Sequence, residues 1–159
     1  MTDNSIPSSK PLFTETMQIG MVVRDLDATV RAYESFGVGP WERFEIPPEY
    51  GTDVTIEGKP SSLHTRVACA NIGSVQWELI QPLDPQSIYG RFLAEKGEGV
   101  HHIAVRTLNF AEMVAREAAL GRGLLLRGTF SGIDLAYLDT TRELGVPIEI
   151  GSLPEYQGS

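Results

Sequence analysis

The feature that most constrains this chain is that it states one pattern twice. A strand-like run, Gln18-Ile-Gly-Met-Val-Val, is followed by a helix-spaced segment and three further strand-like runs. The same order restarts at His102-Ile-Ala-Val-Arg. In the first half Leu26, Val30 and Tyr33 recur at helical spacing between a capping Asp25 and a terminating Gly37. In the second, NFAEMVAREAALG carries an Asn cap and a Gly stop. WERFEIP, LHTRVACANI and SVQWELIQP read as the later strands of the first half, and GLLLRGTF, IDLAYLDT and GVPIEIG as those of the second. A period of this kind identifies an architecture better than any single strand does. The expectation is an α+β fold of two tandem βαβββ modules forming a curved mixed sheet, whose helices cover one face and whose opposite face curls around a cleft.

The boundaries follow from the pattern. Residues 1–15, rich in Ser, Pro, Thr and Asn, are expected as a flexible arm. Residues 16–84 form the first module, 85–98 a linker helix, 99–151 the second module and 152–159 a tail. PPEYGTDVTIEGKPSS is the longest segment without a clear period and reads as an irregular lid or insertion.

Equivalent positions of a pseudo-twofold repeat converge near its axis. Gln18 and His102 open the first strand of each half, and Glu78 and Glu149 lie in the last. Taken singly, each has an ordinary account as a surface or core polar residue. Alternation, however, sets Ile19, Met21 and Val23 opposite Gln18, and Ile103 and Val105 opposite His102. The polar residue then enters the cleft while its neighbours make core. One imidazole, two carboxylates and one amide oxygen suit a six-coordinate divalent ion, with two positions left for substrate or water. Zn, Ni, Co, Mn and Fe(II) all fit. A two-histidine iron site is disfavoured, because His64 falls outside the repeat register.

Other residues extend the cleft. Trp41, Trp77 and Tyr137 are expected to line an apolar pocket, and Arg66 and Tyr137 to orient an anionic or polar substrate. His101 alternates away from His102 and reads as structural or supporting. Arg91 and Lys96 read as a solvated helix face, and Cys69 as a buried thiol. A formal net charge of −8 argues against nucleic acid or an anionic membrane as partner. No apolar run approaches the roughly 18 residues of a membrane span, and the N-terminus lacks the pattern of a secretory signal. One cysteine fits a reducing compartment, so a cytoplasmic protein is expected.

The segments QIGMVVRDLDATVRAY, WELIQPL, SIYGRFLAEKGEG, GVHHIAV and GVPIEI resemble the vicinal oxygen chelate superfamily of glyoxalases, epimerases, extradiol dioxygenases and bleomycin-resistance proteins. WELIQPL through GVHHIAV looks most like methylmalonyl-CoA epimerase. That resemblance implies metal ligation by Glu78, His102 and Glu149, with Glu149 also acting as base. Gln18 departs from the epimerase histidine and looks like the first ligand of glyoxalase I. Val22 and Gln81-Pro82, however, replace the residues expected to hold glutathione. PPEYG resembles the epimerase segment with a catalytic glutamate, which places Glu49 in that role. The resemblance implies a divalent-metal-dependent isomerase or epimerase that moves a proton next to a carbonyl, on an acyl-CoA thioester or another small carbonyl compound. A homodimer is implied with it. A glyoxalase I-like lyase and a non-catalytic small-molecule binding protein of the same fold are the alternatives.

Overall fold

The computed structural model describes residues 11–152. The tail is outside them except for residue 152, as are residues 1–10 of the expected arm. Strand β1 (Phe13–Val22) begins inside that arm. It leads to helix α1 (Leu26–Ser35), capped by Asp25, whose carboxylate accepts from the Ala28 N–H at 3.0 Å. Strands β2 (Glu42–Ile46), β3 (Gly51–Ile56), β4 (Lys59–Pro60), β5 (Thr65–Ile72) and β6 (Val75–Pro82) follow. Helix α2 (Ile88–Lys96) joins the halves. The second half is β7 (Gly99–Thr107), α3 (Phe110–Ala119), β8 (Leu124–Phe130), β9 (Ile133–Leu138), the single turn α4 (Thr141–Leu144) and β10 (Ile148–Gly151). Asn109 caps α3 by accepting from Glu112 N–H. None of the helices described is long and apolar enough to cross a membrane.

All ten strands form one curved, unclosed mixed sheet in the order β2-β5-β6-β1-β7-β10-β9-β8-β3-β4. Its first eight members are palindromic about the β1–β7 seam. β1 is parallel to β6 as β7 is to β10, and each of those strands continues into two antiparallel ones. The duplicated α+β fold read from the sequence is therefore the observed one.

One part of that expectation is corrected. Residues 51–60, expected as irregular, form the hairpin β3–β4, which crosses to the far edge of the sheet and pairs with β8. Val54 and Ile56 alternate inward and pack with Leu126 and Phe130, and that burial holds the hairpin there. The turn at Glu57 (φ 51°) and Gly58 (φ 78°) is left-handed at both centres, the primed geometry that matches strand twist.

Three apolar clusters divide the interior. Leu26 and Val30 of α1 pack with Val23, Ala68 and Leu79, joined by Trp41 and Trp77. Met113 of α3 packs with Val105, Ala136, Ile148 and Ile150. On the opposite, concave face Val22, Ile80, Leu126, Phe130, Tyr89 and Tyr137 surround the cleft. Fully burying a side chain such as Leu26 or Leu79 stabilises by about 1.5–3 kcal/mol, so the helices fix the sheet curvature that shapes the concave side.

Candidate functional site

Strand register assembles the site. Gly20 on β1 stands between Glu78 on β6 and His102 on β7. One row along, Ala104 on β7 stands between Gln18 on β1 and Glu149 on β10. The repeat thus places a polar residue and a small one in alternation, Gln18-Ile-Gly20 against His102-Ile-Ala104. A side chain at position 20 would collide with the imidazole, since a Cβ built there lies 2.2 Å from His102 Cε1 and 2.5 Å from Nε2.

The four donors meet at His102 Nε2. Glu149 Oε2 is 2.9 Å away, Gln18 Oε1 3.5 Å and Glu78 Oε1 3.7 Å. The Gln18 amide donates to Glu78 Oε2 at 3.3 Å and to Gln76 Oε1 at 2.7 Å. Gln76 therefore turns the Gln18 carbonyl oxygen toward the imidazole. It lies two residues before Glu78 on the same strand face, a signal already present in the sequence. Replacing Gln76 with Ala is expected to weaken divalent-ion affinity by about 10–100-fold, the usual effect of losing a group that orients a ligand. Metal titration followed by calorimetry measures it, and unchanged affinity contradicts that role.

Burial sets the protonation. His102 is fully buried, while the Glu78 and Glu149 side chains are 17% and 12% exposed. Desolvation pushes the Glu78 carboxyl up to about 7, opposed by His102, reinforced by Glu149 and opposed again by the Gln18 hydrogen bond. For His102, burial alone lowers the pKa, but the Glu149 hydrogen bond and the two carboxylates outweigh it and raise it overall. Folded Glu78 holds its proton to about pH 7, whereas an unfolded chain releases it near 4.5. The folded state binds more protons in that window, so stability falls as pH rises through it. With about 1.4 kcal/mol per unit, Glu78→Gln in metal-free protein is expected to gain about 3 kcal/mol over the parent between pH 4 and pH 8. Urea melts in chelator at the two pH values measure this, and a gap independent of pH contradicts it.

Around the quartet the chain builds an aromatic box. Tyr137 stacks on His102 at 4.7 Å and shares a 2.5 Å hydrogen bond with Tyr89. Burial raises both phenols well above their ordinary range, so both keep their protons. His101 differs from its expected position. Gly20 pairs with His102 but Met21 with Val100, so His101 is the extra residue of a bulge. Its ring turns to the His102 side, with Nδ1 3.1 Å from His102 Nδ1, and packs edge-on against Tyr89 and Phe92. Burial, then the charges of His102 and Lys96, lowers His101 to about 3. It is therefore a neutral ring whose Nδ1 accepts from His102 Nδ1–H, leaving His102 Nε2 toward the other donors.

The remaining expected residues divide. Tyr137 lines the cleft, a cavity of about 100 Å3 that also reaches Glu78 and Glu149. Trp77 does not. It packs edge-on against Tyr33 beneath α1, because strand alternation turns it away whenever Glu78 faces in. Arg66 likewise leaves the cleft to pair with Asp27 of α1 at 3.1 Å, since Thr65 and Val67 on either side face inward. Glu49 is exposed in the turn after β2 and is not among the lining residues described, although its neighbour Tyr50 is. His64 is bound to Glu45, outside the site.

Among the described residues, no group of three or more His, Cys, Asp or Glu side chains is set out in metal-binding geometry. The four donors here bond to one another instead. Their chemistry nevertheless fits a divalent ion. Two carboxylates, an amide oxygen and an imidazole nitrogen converge in a buried place where the acids repel each other, and a dication relieves that repulsion.

The glyoxalase/bleomycin resistance protein/dioxygenase superfamily model matches residues 17–137. A methylmalonyl-CoA epimerase solved with methylmalonyl-CoA and NH4+ is 27% identical, with a TM-score of 0.63 over 87% of this chain and 94% of that one. A Streptomyces coelicolor methylmalonyl-CoA epimerase variant solved with 2-nitronate-propionyl-CoA is also 27% identical, with a TM-score of 0.63 over 87% and 96%. The Mycobacterium tuberculosis methylmalonyl-CoA epimerase, at 22% identity and a TM-score of 0.65 over 93% and 92%, shares the fold. No curated protein sequence matches the chain. With a duplicated βαβββ sheet, a concave cleft and a family match over most of its length, the chain belongs to the glyoxalase/bleomycin resistance protein/dioxygenase superfamily.

Proposed function

We propose that the protein is a divalent-metal-dependent epimerase or isomerase that moves a proton at the carbon next to a carbonyl, with an acyl thioester as substrate. The observation that carries this is the meeting of Gln18, Glu78, His102 and Glu149 at one end of an apolar cleft. Those four would hold a divalent ion, which would supply a Lewis acid for a carbonyl oxygen and for the negative charge that builds when the adjacent C–H ionises.

The chain's own residues supply the proton handling. Glu149 and Glu78 come from equivalent strands of the two halves and approach His102 from either side. Glu149 is the base that takes the proton. Glu78, the equivalent acid of the other half, is the second group for the opposite face. Two acids inside the ligand set give access to both faces of the reacting carbon without Glu49. The buried tyrosines and apolar walls keep bulk water from the exposed carbanion.

The test is incubation of metal-loaded protein in deuterated water with a panel of 2-substituted acyl thioesters that includes methylmalonyl-CoA. Deuterium at the α-carbon, lost with chelator, supports the reading. Its absence with every thioester overturns it. Gln18 favours a second reading, a glyoxalase-like lyase, because an amide oxygen replaces the epimerase histidine among the donors. Turnover of hemithioacetals in place of α-exchange would select it.

A further inference from the structure

Thr65 sits inside the concave face with 1% of its surface exposed and lines the cleft, yet its hydroxyl has no hydrogen-bond partner. Such groups are uncommon in folded proteins and call for a reason. Thr65 is opposite Pro82 on β6, four residues along β5 from Cys69, the partner of Glu78. At about 3.3 Å per residue, roughly 13 Å of strand separates it from the donor row. The wall between is Val67 and Ile80, faced by Ile46, Leu63, Leu126 and Phe130. Among the described lining residues none is Lys, Arg or His, and the two charged ones, Glu78 and Glu149, are acids at the metal end.

A carboxylate lodged between those walls would lose its water without gaining a counter-ion, a large penalty. The donor set sharpens this, because two carboxylates already match the charge of a dication and leave little attraction for another anion. We propose that the cleft selects an uncharged, mainly apolar acyl or aryl substituent with one neutral hydrogen-bonding atom at its far end, held by Thr65 Oγ1. This rests on the proton-transfer reading for the chemistry. For the substrate it departs from methylmalonyl thioesters, whose acyl group carries a free carboxylate.

Three 2-methyl-branched N-acetylcysteamine thioesters of equal chain length, ending in methyl, methoxy or carboxylate, test it beside the methylmalonyl thioester. Binding and α-deuterium exchange are measured with the divalent ion that gives the largest thermal shift. The methoxy chain is expected to bind about tenfold tighter than the carboxylate chain, and several-fold tighter than the methyl chain, the scale of one buried hydrogen bond. Thr65→Val is expected to erase the methoxy advantage while melting at the same or a higher temperature, because it removes a hydroxyl that bonds to nothing in the free protein. Thr65→Ser is expected to restore it. A weaker methoxy complex with unchanged or raised stability separates a binding role from a structural one. Tightest binding of either carboxylate, an unchanged methoxy-to-methyl ratio in Thr65→Val, or no binding of any thioester overturns the inference. The expected binding order without exchange overturns the proton-transfer reading and leaves this one standing; exchange with the order reversed does the opposite.

Discussion

Replacing Glu149 with Gln is expected to slow α-proton exchange by about 10²–10⁴-fold, the range of a lost general base. The amide keeps the shape and one oxygen of the side chain, so the sheet, the cleft and the contact with His102 survive. What goes is a group that can take a proton. Glu49→Gln is expected to leave the rate within about twofold, because Glu49 is exposed outside the cleft. Deuterium incorporation followed by NMR on both variants measures the contrast. Equal losses would return Glu49 to the reaction, and a Glu149→Gln rate above a tenth of the parent would remove Glu149 from it.

Gly20→Ala is expected to damage both the fold and the site. The added carbon would lie 2.2–2.7 Å from three atoms of the His102 ring, which is fully buried and stacked on Tyr137. The ring cannot give way toward Tyr137 without breaking that stack. It cannot keep its place without the β1–β7 seam opening. Overpacking of this kind costs about 1–3 kcal/mol or more, and moving the imidazole also dismantles the donor quartet. Denaturant melts and metal titration of the same sample are expected to show both losses. Ala104 occupies the equivalent place in the second half and already carries its methyl, so Ala104→Gly is expected to spare the donors. A Gly20→Ala protein with parental stability and metal affinity contradicts this account of the seam.

Much of this was legible in the repeat. The palindromic order about β1 and β7, and the grouping of Gln18, Glu78, His102 and Glu149, follow from duplication combined with strand alternation. Where the sequence reading failed, a non-local or aperiodic event decided the structure. The β3 strand finds its partner about seventy residues away, and its Glu-Gly turn lacks the Asn-Gly signal. Alternation sends His101 to the wrong face because a bulge, invisible to a period of two, inserts it beside His102. Arg66 has no facing signal because β5 is buried on both faces from Val67 to Ala70. Trp77 could have been excluded from alternation alone, once Glu78 was placed in the cleft. Gln76 and Thr65 share a sheet face with Glu78 by the same rule, but nothing in their residue types announces a role. Glu49 rests on resemblance alone, and it lies in the turn just before that hairpin.

Four side chains from two halves are proposed to hold one divalent ion. Thermal unfolding of chelator-treated protein, titrated in turn with Zn, Ni, Co, Mn and Fe(II), tests it most directly when paired with calorimetric stoichiometry. The expected result is one ion bound per chain with a rise in melting temperature, lost in His102→Ala and in Glu78→Ala. A chain that gains no stability from any of these ions and binds none would contradict the account, and would leave a metal-free binding protein of the same fold in its place.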